Sequence, residues 1–264
     1  MTAPRVPARV AAWRLARVVV HVLHGVAVAS RFPRLDRAGR EQRIVWWSRK
    51  LLRLLGITLH VNGHPRPHAC LFVANHVSWL DIIAINAVQP ARFVAKSEIR
   101  AWPVIGGLVT AAGTLYIERQ RARDAVRVVH DMAQALRDGD VVAVFPEGTT
   151  GPGDNVLPFH ANLLQAAIAV DAPVQPMTLR YGDPAHRHSP AAAYIGDTTL
   201  MQSLWMIARA RGLTVHLTVQ PPQGASHADR RALAAHLREQ IAAVLTGEER
   251  PAPAPCPSGA TPAG

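Results

Sequence analysis

The chain has 264 residues, 49% of them apolar, with 29 Lys and Arg against 18 Asp and Glu. That length suits one large domain or two small ones, and that apolar content excludes a disordered chain. Cys70 and Cys256 lie far apart and form no CxxC pair, which excludes a disulfide framework and a cysteine metal centre; the absence of any run of about 20 uncharged apolar residues argues against a multi-pass transporter.

Residues 18–30 are charge-free and apolar apart from His21, His24 and Ser30, with Arg5, Arg9, Arg14 and Arg17 ahead of them. Ala27-Val28-Ala29 has the form of a signal-peptidase site, but two histidines inside the run speak against a cleaved leader. A helix lying in one leaflet, or a hairpin dipping into it, fits the length better, and the arginines keep that end cytoplasmic. Residues 40–56 read as an amphipathic helix, with Ile44, Trp47, Leu51, Leu52 and Leu55 on one side and Arg43, Arg49, Lys50 and Arg53 on the rest. Trp46 and Trp47 beside these cations suit the headgroup boundary; a core-packed helix with a solvated basic face gives the same pattern.

From residue 57 short apolar runs alternate with longer periodic ones. Strands are predicted over 57–61, 70–74, 92–95, 114–118, 141–145, 174–179, 192–195 and 213–219, and helices over 80–87, 104–112, 124–137, 162–170, 200–210 and 227–245. In 124–137 the helical stripe is Val126, Val129, Met132, Ala133 and Leu136. The alternation predicts an α/β domain, a mixed and mostly parallel sheet flanked by helices, over 57–247; membrane-associating helices occupy 1–56, and a Pro- and Ala-rich disordered tail 248–264.

Three segments carry chemistry. In Asn75-His76-Val77-Ser78-Trp79-Leu80-Asp81 a strand-like run ends and a helix-like run begins. On a regular helix a five-residue separation leaves two side chains about 140° apart, so His76 meets Asp81 only from a loop that turns back. Asp81 then sets the imidazole tautomer and the other ring nitrogen takes a proton from a hydroxyl. A strand-end cap and a helix-start charge are the structural alternative, and Ser78 reads as a helix N-cap. The second segment is Phe145-Pro146-Glu147-Gly148-Thr149-Thr150, a buried-type strand entering a turn where Gly148 exposes backbone N–H groups. The third is Gly113-Thr114-Leu115-Tyr116-Ile117-Glu118-Arg119, a strand ending in a guanidinium suited to phosphate.

Together these segments, with Pro173-Val174-Gln175-Pro176-Met177, resemble the four motifs of the lysophosphatidic acid acyltransferase (1-acylglycerol-3-phosphate O-acyltransferase) family of glycerolipid acyltransferases, across about residues 57–181. The resemblance implies a general base, His76, oriented by Asp81, and acceptor-side places for Arg119 (phosphate), Glu147, Gly148, Thr149 and Asn75, with Asn75 holding the loop by side-chain hydrogen bonds and Glu147 positioning either the acceptor or the loop. It implies acyl transfer from acyl-CoA or acyl-carrier protein to the hydroxyl of lysophosphatidic acid at the cytoplasmic face of the inner membrane. No acyl-enzyme, metal or redox cofactor is implied, and the partners are the bilayer, a lysolipid and an acyl thioester. Two departures lie on the acceptor side: Thr150 stands where the family commonly has Arg, and Asn162 where it has Gly. They open an alternative, O-acylation of lyso-ornithine lipid, whose headgroup has no phosphate. A non-catalytic membrane-surface module and a thioester hydrolase are the readings of other classes. Nucleic acid is not implied, because the arginines are scattered and few aromatics interleave with them.

Overall fold

The structure, a computed structural model, describes residues 5–118 and 122–247. Its centre is two strands, β2 (Cys70–Ala74) and β5 (Val141–Val144), every residue of which is buried. Unbroken apolar runs of this kind belong to parallel strands covered on both faces. Around them the sheet adds β1 (Thr58–Asn62), β3 (Arg92–Lys96), β4 (Leu115–Ile117), β6 (Val174–Gly182) and β7 (Thr214–Val219), in the order β1-β7-β6-β2-β5-β3-β4. Every pairing is parallel except β6 with β7. The sheet is therefore mixed and mostly parallel, as the alternation predicts.

Residue alternation splits the core in two. Cys70, Phe72 and Ala74 face α2 (Arg37–Leu55), α3 (Leu80–Asn86) and α7 (Leu200–Arg209). Leu71 and Val73 face α5 (Ala122–Arg137), α6 (Gln165–Ala169) and α8 (Arg230–Thr246). Burial pushes the Cys70 thiol up to about 12. The thiolate is the reactive form, so in the Cys256→Ser protein a disulfide reagent at pH 8 should label Cys70 only on unfolding. Fast labelling of the folded variant would show that β2 opens.

The N-terminal helix α1 (Ala8–Ala29) has the length and composition to cross a membrane. It packs on α2, α7 and α4 (Ile105–Ala111). Arg14 donates to the carbonyls of Ala208 and Ala210 at the end of α7. The Trp47 indole N–H donates to His21 C=O, and the His21 ring bonds Trp47 C=O. The apolar side of α2 (Leu51, Leu52, Leu54 and Leu55) is buried in the core of the sheet domain, and Arg49 donates to Ala87 C=O at the end of α3. The outward face of α1 is apolar: Trp13, Val19, Val20, Leu23 and Val26 are exposed.

Two further expectations are corrected. Val126 is 72% exposed, so it leaves the predicted stripe of α5; Met132, Ala133 and Leu136 are buried as that stripe expects, Val129 packs against the same core, and Val128 and Ala135 join them. Residues 192–195 form no strand. Ala192 and Ala193 are buried because this segment lies over the loop after β2, where Tyr194 N–H donates to Val77 C=O at 3.0 Å. Arg119 and the tail 248–264 lie outside the described residues.

Candidate active site

The site forms at the C-terminal ends of β2, β5 and β6, where parallel strands hand over to loops. Asn75 leaves β2 and closes the gap to β6: its carbonyl oxygen accepts from Leu179 N–H at 2.8 Å and its amide donates to Leu179 C=O at 2.9 Å. The side chain is buried and spent on the backbone, so Asn75 positions the loop and does not reach an acceptor.

His76 sits in the loop, not on the helix, and turns back over α3. Its Nδ1 lies 2.8 Å from Asp81 Oδ2. The same oxygen accepts from Val77 N–H (2.7 Å) and Ser78 N–H (2.9 Å), while Oδ1 accepts from the Tyr181 hydroxyl at 2.7 Å. An oxygen that already accepts two N–H groups receives a third proton from the ring, so Nδ1 carries hydrogen and Nε2 is left with its lone pair. Nε2 has no hydrogen-bond partner among the described residues. The side chain of His76 is 19% exposed and that of Asp81 0%, so the carboxylate is sealed while the ring reaches solvent. Phe145 stacks on the imidazole at 4.0 Å between centroids and 8° between planes.

Tyr181 was not legible as a site residue, because it lies beyond the predicted end of its strand. Period-2 alternation with Met177 and Leu179 was the available signal. Burial first, and the Asp81 charge second, push its hydroxyl pKa well up, so it stays a donor to Asp81.

Glu147 is buried, and both oxygens accept backbone N–H groups: Oε1 from His76 at 2.6 Å and Oε2 from Leu157 at 2.9 Å. It ties the turn after β5 to the loop after β2. The reverse link is Gly151 N–H donating to His76 C=O at 2.7 Å. Gly148 takes φ +72°, a left-handed conformation that glycine adopts without strain, and its N–H donates to Phe145 C=O. Thr149 is exposed. Thr150 donates its hydroxyl to Tyr194 C=O, so this position holds the covering segment over the loop. Ser78 does not cap α3: its hydroxyl is buried without a partner among the described residues, and Asp81 reaches back to the N–H groups of Val77 and Ser78. Asn162 lies in the single turn of 3-10 helix Ala161–Leu164.

Burial raises the Glu147 carboxyl above its ordinary range, and the two backbone donors pull the other way. A raised folded value means the folded protein holds this proton more tightly than the unfolded chain. The stability so gained is fully present below the ordinary Glu value of about 4.3 and is lost as pH rises through the folded value. Glu147→Gln is neutral at every pH and faces one backbone N–H with an amide N–H. Its melting temperature should lie below that of the parent protein, with the deficit largest near pH 4 and shrinking toward pH 7. A deficit that widens with pH would reverse the assignment.

Comparison with known proteins places this arrangement. The family described as Acyltransferase matches residues 57–180. The chain is 34% identical over 230 residues to a lyso-ornithine lipid O-acyltransferase of Pseudomonas aeruginosa, covering 86% of this chain and 87% of that protein. It is 38% identical over 213 residues to a 1-acyl-sn-glycerol-3-phosphate acyltransferase of Neisseria meningitidis, covering 79% and 83%. The crystal structure of the 1-acyl-sn-glycerophosphate acyltransferase of Thermotoga maritima shares the fold, with TM-score 0.68 and 21% identity over 90% of this chain and 95% of that one.

Proposed function

The chain belongs to the acyltransferase family that contains these glycerolipid enzymes, and from that premise we propose that it moves a fatty acyl group from acyl-CoA or acyl-carrier protein to the free hydroxyl of lysophosphatidic acid. The observation that carries the chemistry is the His76–Asp81 pair, with Nδ1 anchored on a buried carboxylate and Nε2 open. Nε2 takes the hydroxyl proton as the acceptor oxygen attacks the thioester carbonyl. The tetrahedral oxyanion collapses, the carbon–sulfur bond breaks, and the imidazolium returns the proton to the leaving thiolate. Asp81 stabilises the imidazolium without taking the proton. No covalent acyl-enzyme forms.

The oxyanion needs donors that are not already occupied. The N–H groups of His76 and Gly148, the first candidates from the motifs, donate to Glu147 and Phe145. Those of Thr149 and Thr150 have no acceptor among the described residues, and they take this role in our reading. Arg119 keeps the acceptor phosphate by resemblance alone. The acceptor comes from a bilayer, and the outward apolar face of α1 with the half-exposed Trp46 is the surface we assign to it. Because Arg14 and Trp47 lock α1 to the domain, this reading makes the enzyme peripheral on the cytoplasmic face, not held by a free-standing span.

A second acceptor, lyso-ornithine lipid, is favoured by one observation. Thr150 replaces the arginine commonly found there, and its hydroxyl is committed to Tyr194. Acyl transfer by the purified protein, with lysophosphatidic acid and lyso-ornithine lipid compared side by side, decides between them. Transfer to neither, or release of free fatty acid without an added lysolipid, would overturn the proposal.

A further inference from the structure

On the face of the sheet opposite the apolar helices, the β1–β7 edge is bare and polar. The side chains of α1, α2, α3 and α7 pack with Met177, Leu179, Tyr181, Val215 and Leu217. Alternation therefore turns Arg180, Thr214 and His216 to the other side, and α8 covers β6 there but leaves β7 open. A cavity of about 460 Å³ forms at this place, lined among others by Arg180, Arg187, His186, Thr214 and His216.

Among the described residues its two guanidiniums bond backbone carbonyls only. Arg180 donates to Arg187 C=O and Arg187 to Leu245 C=O, and neither has a carboxylate partner among the described residues. Asp183 also lines the cavity, but its carboxylate is spent inside its own turn, on Ala185 N–H, His186 N–H and the His186 ring. His216 lies 3.3 Å from the Thr214 hydroxyl and stacks on His60, with 5.0 Å between ring centroids. Burial, and then the neighbouring Arg187 charge, lower the Arg180 pKa. The Thr214 hydroxyl donates to Gly182 C=O at 3.1 Å, so the available donors are the guanidiniums and the imidazoles, a set that phosphate oxygens select.

We propose that the Arg180–Arg187–His216 cavity binds a phosphomonoester on a soluble ligand, the nucleotide end of a coenzyme A thioester. This rests on the acyl-transfer reading above. Position favours a soluble ligand over a lipid headgroup: the cavity opens on the α8 side of the sheet, and the exposed apolar face of α1 belongs to the layer on the other side. The cavity also lies at the reacting end of the sheet. Arg180 stands next to Tyr181 on β6, on the opposite face of the strand from the Tyr181–Asp81 contact.

Calorimetric titration with adenosine 3′,5′-bisphosphate tests the site without turnover. The wild-type protein should bind it. Arg180→Gln and His216→Gln should each raise Kd, the former by about tenfold or more, the scale of one charge-assisted hydrogen bond. His76→Ala should bind as wild type, so a failed transfer assay and a failed site give different results. In the transfer assay Arg180→Gln should raise KM for acyl-CoA and leave KM for the lysolipid unchanged. Vesicles of phosphatidylglycerol form the other arm. No bisphosphate binding by the wild-type protein, equal Kd in the variants, or Arg180-dependent binding to the vesicles alone would overturn the assignment.

Discussion

His76→Ala should lower kcat for acyl transfer by about 10²–10⁴-fold, the usual worth of a positioned general base. The substitution removes the ring that stacks on Phe145 and bonds Asp81, but it leaves the residue's main chain in place. The backbone links that organise the loop, His76 N–H to Glu147 and Gly151 N–H to His76 C=O, therefore survive. Melting temperature and circular dichroism should stay close to those of the parent protein, so the loss reads as chemistry. Full activity in a correctly folded His76→Ala protein would sink the mechanism.

Asp81 carries the second large effect, and two substitutions separate its roles. Asp81 accepts four hydrogen bonds with no solvent access. In Asp81→Asn the carbonyl oxygen keeps the three N–H donors and the Tyr181 hydroxyl turns to accept from the new amide. The fold holds, but the imidazolium formed during transfer loses its counter-charge, and kcat should fall by about 10²-fold or more. Asp81→Ala orphans all four donors in a sealed site and should also cost about 3 kcal/mol or more of folding stability, read by denaturant titration. Equal activity in Asp81→Asn and the parent would show that the carboxylate only holds the loop.

Much of the architecture was legible because its cause is local. β2 and β5 are apolar without interruption because both faces are covered, and the spacing of His76 and Asp81 already required a loop that turns back. The misreadings share one cause, which is a local pattern put to a distant use. Residues 192–195 are apolar like a strand because they cover the loop after β2. Ser78 has the composition of a cap, yet its buried hydroxyl takes no backbone N–H. The loop-holding roles open to Asn75 and Glu147 are met, by contrast, on backbone 104 and 71 residues away in the chain.

The class of chemistry, the order of strands and helices apart from 192–195, and the residues of the His76–Asp81 pair follow from the chain alone, because periodicity and motif spacing are properties of neighbours in the chain. Only the tertiary structure decided which functional groups are available and which are occupied. Tyr181 joins Asp81 across 100 residues, and Arg180 faces the opposite side of the same strand. A side chain's availability depends on which buried backbone donors and acceptors it must satisfy, and those partners are set by strand order and register.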